Sequence, residues 1–131
     1  DISLCIFNFE TNEVEIAAAN NSVYILQNSE LSIIKADKMP IGSHPLIDKP
    51  YTQNILRFNK GDKFYLFTDG FADQFGGEQG KKLKMSNFRD MLLATSHLEM
   101  QSQKEILEQE LESWMGYREQ VDDITVIGLT I

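Results

Sequence analysis

Lys63-Phe64-Tyr65-Leu66-Phe67-Thr68-Asp69-Gly70-Phe71-Ala72-Asp73-Gln74-Phe75-Gly76-Gly77 is the stretch whose reading decides the fold. Residues 63–68 are mostly aromatic, apolar or β-branched, the composition of a buried strand. The run breaks at Asp69-Gly70 into a glycine-rich loop, so a carboxylate stands where a rigid apolar strand opens toward solvent. An Asp-Gly pair alone is also an ordinary turn dipeptide whose acid satisfies nearby backbone donors. Just upstream, Asn59-Lys60-Gly61-Asp62 is a strong turn signal that delivers the chain into this strand.

Working outward toward the N-terminus, the period of two persists. Over residues 2–9 both alternating faces are largely apolar, as in a strand covered on both sides. The polar Glu10-Thr11-Asn12-Glu13 precedes a strand at 14–19, and strands at 23–27 and 31–35 flank Asn28-Ser29 as a short hairpin. Residues 36–50 hold all three prolines and read as an irregular connection before a strand near 53–58. Downstream the period moves to about 3.6. Phe88, Met91, Leu92 and Thr95 form one helical stripe, with Ser86 as its expected N-cap. Met100, Leu107, Leu111, Trp114 and Met115 form a second, ended by Gly116. Met and Trp at that spacing are core residues rather than a cofactor site. Residues 124–131 close the chain as an alternating, β-branched strand that reads as central to the core. Strands, then two helices, then a returning strand predict an α+β fold in one domain, with helices packed on an antiparallel sheet.

Composition narrows the function. Twelve basic residues against twenty acidic ones give the 131-residue chain a formal net charge of −8. That argues against nucleic-acid binding, which needs clustered Lys and Arg to displace counterions. Cys5 is the only cysteine, so neither an internal disulfide nor a cysteine-rich zinc site can form. A reducing, cytoplasmic setting is therefore expected, and Cys5, within an apolar strand, reads as a small hydrophobe rather than a nucleophile. No apolar run approaches the roughly 18 residues a bilayer span requires, so no membrane insertion is expected. The chain enters its first strand directly from Asp1, as a piece cut from a longer domain would. A sheet cut in this way exposes unpaired strand edges, and a homodimer or swapped assembly is the expectation.

A second acidic segment, Gln120-Val121-Asp122-Asp123-Ile124-Thr125, lies just before the last strand. Neighbouring acids repel, and a hard divalent cation would compensate them, since Mg²⁺ and Mn²⁺ favour carboxylate oxygen. Taken alone, the pair reads first as an acidic turn in water. Other motifs carry less. Gly76-Gly77-Glu78-Gln79-Gly80-Lys81-Lys82 is not a nucleotide loop, because Phe75 stands where the first glycine is required and no Ser or Thr follows the lysines. Lys81 and Lys82 read as a solvated pair or as a contact for an acidic or phosphorylated partner. His44 and His97 lie outside any ligand-like spacing, and no motif sets a histidine base beside Ser43 or Thr68.

In combination and in this order, the segments resemble a known pattern. Asp1-Ile2-Ser3-Leu4-Cys5, Ala19-Asn20-Asn21, Met39-Pro40-Ile41-Gly42, Gly61-Asp62 through Asp69-Gly70, and Asp122-Asp123-Ile124-Thr125 carry the likeness along the entire chain. It resembles the C-terminal portion of the SpoIIE-like (stage II sporulation protein E-like) branch of the type-2C metal-dependent serine/threonine protein phosphatases. The resemblance implies an α-β-β-α sandwich over residues 1–131, here without its N-terminal strands. It implies Asp69 and Asp122 as metal-binding catalytic carboxylates, Asp123 supporting them, and Gly70 letting the loop pass close to the metal. It further implies two Mn²⁺ or Mg²⁺ ions and a metal-activated water. The substrate would be phosphoserine or phosphothreonine on a regulatory protein in bacterial signalling, such as an anti-sigma-factor antagonist in sigma factor regulation or a two-component system. In the family, an upstream Gly-Asp strand and an Asp-Gly segment complete the metal site; neither precedes Asp1, so this piece alone is expected to be inactive. The alternative is a catalytically silent module that binds a regulatory protein. Retention of both Asp69 and Asp122 favours the enzyme. A calcium-binding domain would need a 12-residue loop of alternating oxygen ligands, which is absent.

Overall fold

A computed structural model of the chain describes residues 1–42 and 49–131; Ser43 and His44 lie outside the described residues. The chain divides into two units, Asp1–Phe67 with Ile127–Ile131, and Thr68–Val126.

The first unit is built from β1 (Ile2–Asn8), β2 (Glu13–Ala19), β3 (Val23–Gln27), β4 (Glu30–Ile34), β5 (Asn54–Arg57), β6 (Lys63–Phe67) and nearly all of β9 (Val126–Thr130). One sheet has the order β1-β2-β5 and the other β4-β3-β6-β9. Every pairing from β1 to β6 is antiparallel. The strands run as the period of two predicts, and one alternating row of the first sheet, Phe7 opposite Val14 opposite Leu56, faces the core. Val14 and Ile16 meet Val23, Ile25 and Phe64 of the second sheet, with Phe58 completing the cluster. The Phe7 ring stands edge-on to Phe64 at 5.0 Å between centroids. Each such buried side chain contributes about 1.5–3 kcal/mol through lost water contact.

The expected hairpin is present. Gln27 pairs with Glu30 across Asn28-Ser29, whose φ angles of 50° and 65° are the left-handed pair that a type I′ turn requires. The Gly61-Asp62 turn is cross-tied. Asp62 is buried, and its carboxylate accepts bonds from the Asn59 N–H (2.8 Å) and the Gln27 side-chain amide (2.6 Å). Gly61 N–H donates to the Ile131 carbonyl at 2.7 Å, and Ile131 N–H to the Asp62 carbonyl at 3.0 Å.

Two strand expectations are corrected. β1 is not covered on both sides: Ile2, Leu4 and Ile6 are exposed, and only the row containing Cys5 and Phe7 packs on the core. β1 ends its sheet, and its outward residues stand opposite small or charged partners, Leu4 opposite Ala17 and Ile6 opposite Glu15. The last strand is not central either. β9 also ends its sheet, beside β6 alone among the described strands, with Ile127 and Leu129 exposed.

The second unit holds α1 (Gly70–Asp73), β7 (Phe75–Gly76), β8 (Lys81–Lys82), α2 (Met85–Ala94) and α3 (Met100–Met115). Phe71 and Phe88 pack with centroids 4.7 Å apart, and Leu83, Leu92 and Leu107 are buried. The two long helices fall where the 3.6 period places them, and Gly116, with φ of 58°, ends α3 as expected. Ser86 is not the N-cap of α2. The cap is Lys84, with φ 76°, ψ 147° and no side-chain cap bond. Its N–H is held by the Ala72 carbonyl at 2.7 Å, so a tertiary hydrogen bond sets the helix start in place of a hydroxyl. The short α1 and the two-residue strands β7 and β8 carry no period long enough to read from sequence.

Replacing Asp62 by Ala should lower stability by about 1–3 kcal/mol in urea titration, because a buried carboxylate that accepts two hydrogen bonds is lost. Burial pushes the Cys5 thiol up from 9.0 to about 11. Folded protein at pH 8 should therefore resist iodoacetamide, and unfolding in urea should restore alkylation. The same shift predicts no thiol-linked change in stability below about pH 9, and a loss as pH climbs toward 11, where only the unfolded chain ionises readily.

Candidate functional site

Thr68 is the last residue before the Asp-Gly break, and it forms three bonds to one segment. Its N–H donates to the Thr125 carbonyl at 3.0 Å, its hydroxyl donates to the Asp123 carbonyl at 2.7 Å, and the same hydroxyl oxygen accepts from Thr125 N–H at 3.0 Å. Two acidic segments whose linking residues stand 55 positions apart are thereby laid side by side. Gly70 makes the approach sterically possible. A Cβ at Gly70 would collide with the Asp123 carbonyl oxygen, lie 2.9 Å from its carbon, and stand 3.2 Å from Ile124 Cγ1.

Asp69 heads α1. Its backbone carbonyl accepts Asp73 N–H at 2.9 Å, while its exposed side chain makes no cap bond. Asp122 is exposed too; one carboxylate oxygen accepts Asp123 N–H at 2.8 Å, and its carbonyl accepts the Gln120 amide at 2.8 Å. The Asp123 carbonyl is taken by Thr68, and its side chain is exposed. The structure thus brings together the segments of all four expected residues, Asp69, Gly70, Asp122 and Asp123. His97, exposed after α2, remains outside them.

Carboxylate oxygens are the donors a hard divalent ion takes, so the chemistry of this set fits Mn²⁺ or Mg²⁺. The count does not close a site: among the described residues no group of three or more His, Cys, Asp or Glu could hold a metal. The chain supplies part of a donor set.

Two residues that matter here did not stand out in the sequence. Thr68 was visible only as a hydroxyl beside the break, without a base to activate it; its role is to join backbones. Gln74 is fully buried, and its amide donates to the Phe75 carbonyl at 3.1 Å and the Glu119 carbonyl at 2.9 Å. Its own carbonyl accepts the Trp114 indole N–H at 3.1 Å. Gln74 therefore pins the end of α1 to the chain leaving α3, a few residues before Asp122. Its side-chain oxygen has no partner among the described residues. A glutamine in a polar stretch gives no sequence signal of such burial.

Antiparallel sheets, with two long helices between β6 and β9 in the sequence, make an α+β chain, the fold class of PP2C phosphatase domains. The model for the family Stage II sporulation protein E (SpoIIE) matches residues 1–131, and the chain belongs to this family. It is similar to the SiaA-PP2C domain of Pseudomonas aeruginosa, with 30% identity and a TM-score of 0.83 over 92% of this chain and 47% of that one. It shares the fold of the phosphatase domain of SpoIIE from Bacillus subtilis, with 14% identity and a TM-score of 0.67 over 99% of this chain and 57% of that one. The same holds for the catalytic domain of the serine/threonine phosphatase PstP in complex with two manganese ions, at 18% identity and a TM-score of 0.60, over 96% of this chain and 56% of that one. The chain therefore spans about half the length of the solved relatives it matches. Its α+β fold is the corresponding portion of the PP2C fold. No curated protein matches it.

Replacing Gly70 by Ala should destabilise the chain by about 1–3 kcal/mol through overpacking against Asp123, read as a lowered Tm.

Proposed function

We propose that the protein carrying this chain hydrolyses phosphoserine or phosphothreonine esters on a regulatory protein, with Asp69 and Asp122 as metal-binding carboxylates. The observation that carries this reading is the Thr68 stitch, which lays the two acidic segments together at the end of β6. Residues 1–131 are taken as the C-terminal part of a single SpoIIE-like domain. Asp69 and Asp122 would hold Mn²⁺ or Mg²⁺ through their exposed oxygens, with Asp123 beside them and the Gly70 backbone passing close. The ions would supply a water of lowered pKa and neutralise phosphoryl charge. This chain's part is to present carboxylates from rigid element ends and to keep their backbones fixed. Thr68 and Gly70 do this through hydrogen bonding and through the absence of a side chain.

Among the described residues no group of three or more His, Cys, Asp or Glu could hold a metal, so the 131 residues alone are expected to turn over little. By family likeness the partner is a phosphorylated protein of the anti-sigma-factor-antagonist type, in a cytoplasmic signalling system. No helix among the described residues is long and apolar enough to cross a membrane. The outward apolar residues of β1, at the end of its sheet, are the surface on which a homodimer would form, and light scattering reads that directly.

The test is Mn²⁺-dependent hydrolysis of para-nitrophenyl phosphate by the protein carrying this chain. Asp69→Asn and Asp122→Asn should each lower turnover by about 10²-fold or more, as expected when several kcal/mol of transition-state charge stabilisation are lost. Unchanged metal-dependent turnover in both variants sinks the assignment. Tight binding of a phosphoprotein without turnover in the unmutated protein would favour the silent binding module.

A further inference from the structure

The two joints around the acidic segments close on one another. Forward from Thr68 the chain passes Asp69 and the single turn of α1 to reach Gln74, whose side-chain amide donates to the Glu119 carbonyl at 2.9 Å. From Glu119 the chain passes Asp122 to Asp123, whose carbonyl accepts the Thr68 hydroxyl at 2.7 Å. Residues 68–74 and 119–123 thus form a closed ring, sealed by a hydrogen bond at each end, and Asp69 and Asp122 both lie within it.

The Gln74 seal works through one end of its side chain. Gln74 is fully buried; Nε2 donates to the Phe75 carbonyl at 3.1 Å and to the Glu119 carbonyl, while Oε1 has no partner among the described residues. An interior oxygen without a donor opposes folding, and a methionine of similar length would carry no such oxygen. What the glutamine supplies and a methionine cannot is a pair of donors.

The segment they hold has need of them. Residues 119–122 lie in no helix or strand, and such a segment keeps its place through bonds brought to it from elsewhere. The bonds from the Gln120 amide to the Asp122 carbonyl and from Asp123 N–H to the Asp122 carboxylate are local, so they fix the shape of the segment and not its position. The Gln74 end is itself anchored. Its backbone carbonyl accepts the Trp114 indole N–H at 3.1 Å and Leu83 N–H at 2.9 Å, and the Ala72 carbonyl two residues before it accepts Lys84 N–H at 2.7 Å.

We propose that Gln74 is a positioning residue for the metal site: its amide, rather than its bulk, fixes where Asp122 stands relative to Asp69. This deepens the proposed function and rests on it for the metal, although the clamp itself forms without one. Partners that orient metal ligands in this way change metal affinity by about 10–100-fold when removed.

The experiment uses the protein carrying this chain, with Mn²⁺ alone as the probe. Gln74→Met keeps the length of the side chain and removes both donors. Electron paramagnetic resonance of free Mn²⁺ should show affinity lowered by about 10–100-fold in this variant. Hydrogen exchange of the metal-free protein, read by mass spectrometry, should be faster over residues 119–123. Trp114→Phe is the comparison for general loosening: it takes one donor from the Gln74 carbonyl, which keeps Leu83 N–H, and should lower Tm with Mn²⁺ affinity unchanged. Should Gln74→Met fail to fold, Gln74→Asn, whose amide is one methylene short of the Glu119 carbonyl, is read by the same criteria. Affinity and exchange equal to the parent's overturn the proposal. An equal loss of affinity in Trp114→Phe overturns it too, because loosening of the region then suffices. A parent that binds no Mn²⁺ and hydrolyses no phosphate ester refutes the catalytic reading; faster exchange over 119–123 in Gln74→Met then upholds the clamp, and unchanged exchange removes it as well.

Discussion

The hydroxyl of Thr68 is the point on which the arrangement of this chain turns. A strand can place an acid at its end, but it cannot by itself say which distant segment that acid will face. Thr68 does so by donating to one backbone carbonyl and accepting from a backbone N–H two residues further on. Since one hydroxyl serves both bonds, register and spacing are set together. A valine of the same shape would preserve the strand and leave the Asp123 carbonyl without its donor. Gly70 answers the same constraint from the steric side, by having no side chain where the Asp123 carbonyl must sit.

Much of this was legible in the sequence because the strands obey strict alternation and the helices a clean 3.6 stripe. Asn28-Ser29 and Gly116 announced a hairpin and a helix end by their conformational freedom, and both stand where expected. Errors arose where tertiary partners outweigh local preference. Ser86 is a good N-cap by type, yet the Ala72 carbonyl captures Lys84 N–H and starts the helix earlier. Residues 2–9 carry apolar side chains on both faces, but sheet order leaves one of those faces in water. Alternation reports which residues share a face; it does not report whether anything lies against it.

The acidic segments show the same division. Asp69 and the Asp122-Asp123 pair were visible as residue types in suggestive settings, and their neighbourhood became meaningful through family resemblance. The joints around them, a threonine hydroxyl and a buried glutamine amide, were not visible, because Thr and Gln are common in exposed polar stretches. Gln74 in particular is fully buried while its amide grips the Glu119 carbonyl, an arrangement no periodicity encodes.

The cross-tie of Gly61 and Asp62 to Ile131 has a kinetic side. The chain must travel from its middle to its final residue before either this turn or the Thr68 junction is complete, and loop closure over such a span is entropically slow. The hairpin at Asn28-Ser29 closes a far shorter loop. Contacts as widely separated in sequence as those of the junction are the kind that slows folding, so this junction adds contact order that the hairpins do not.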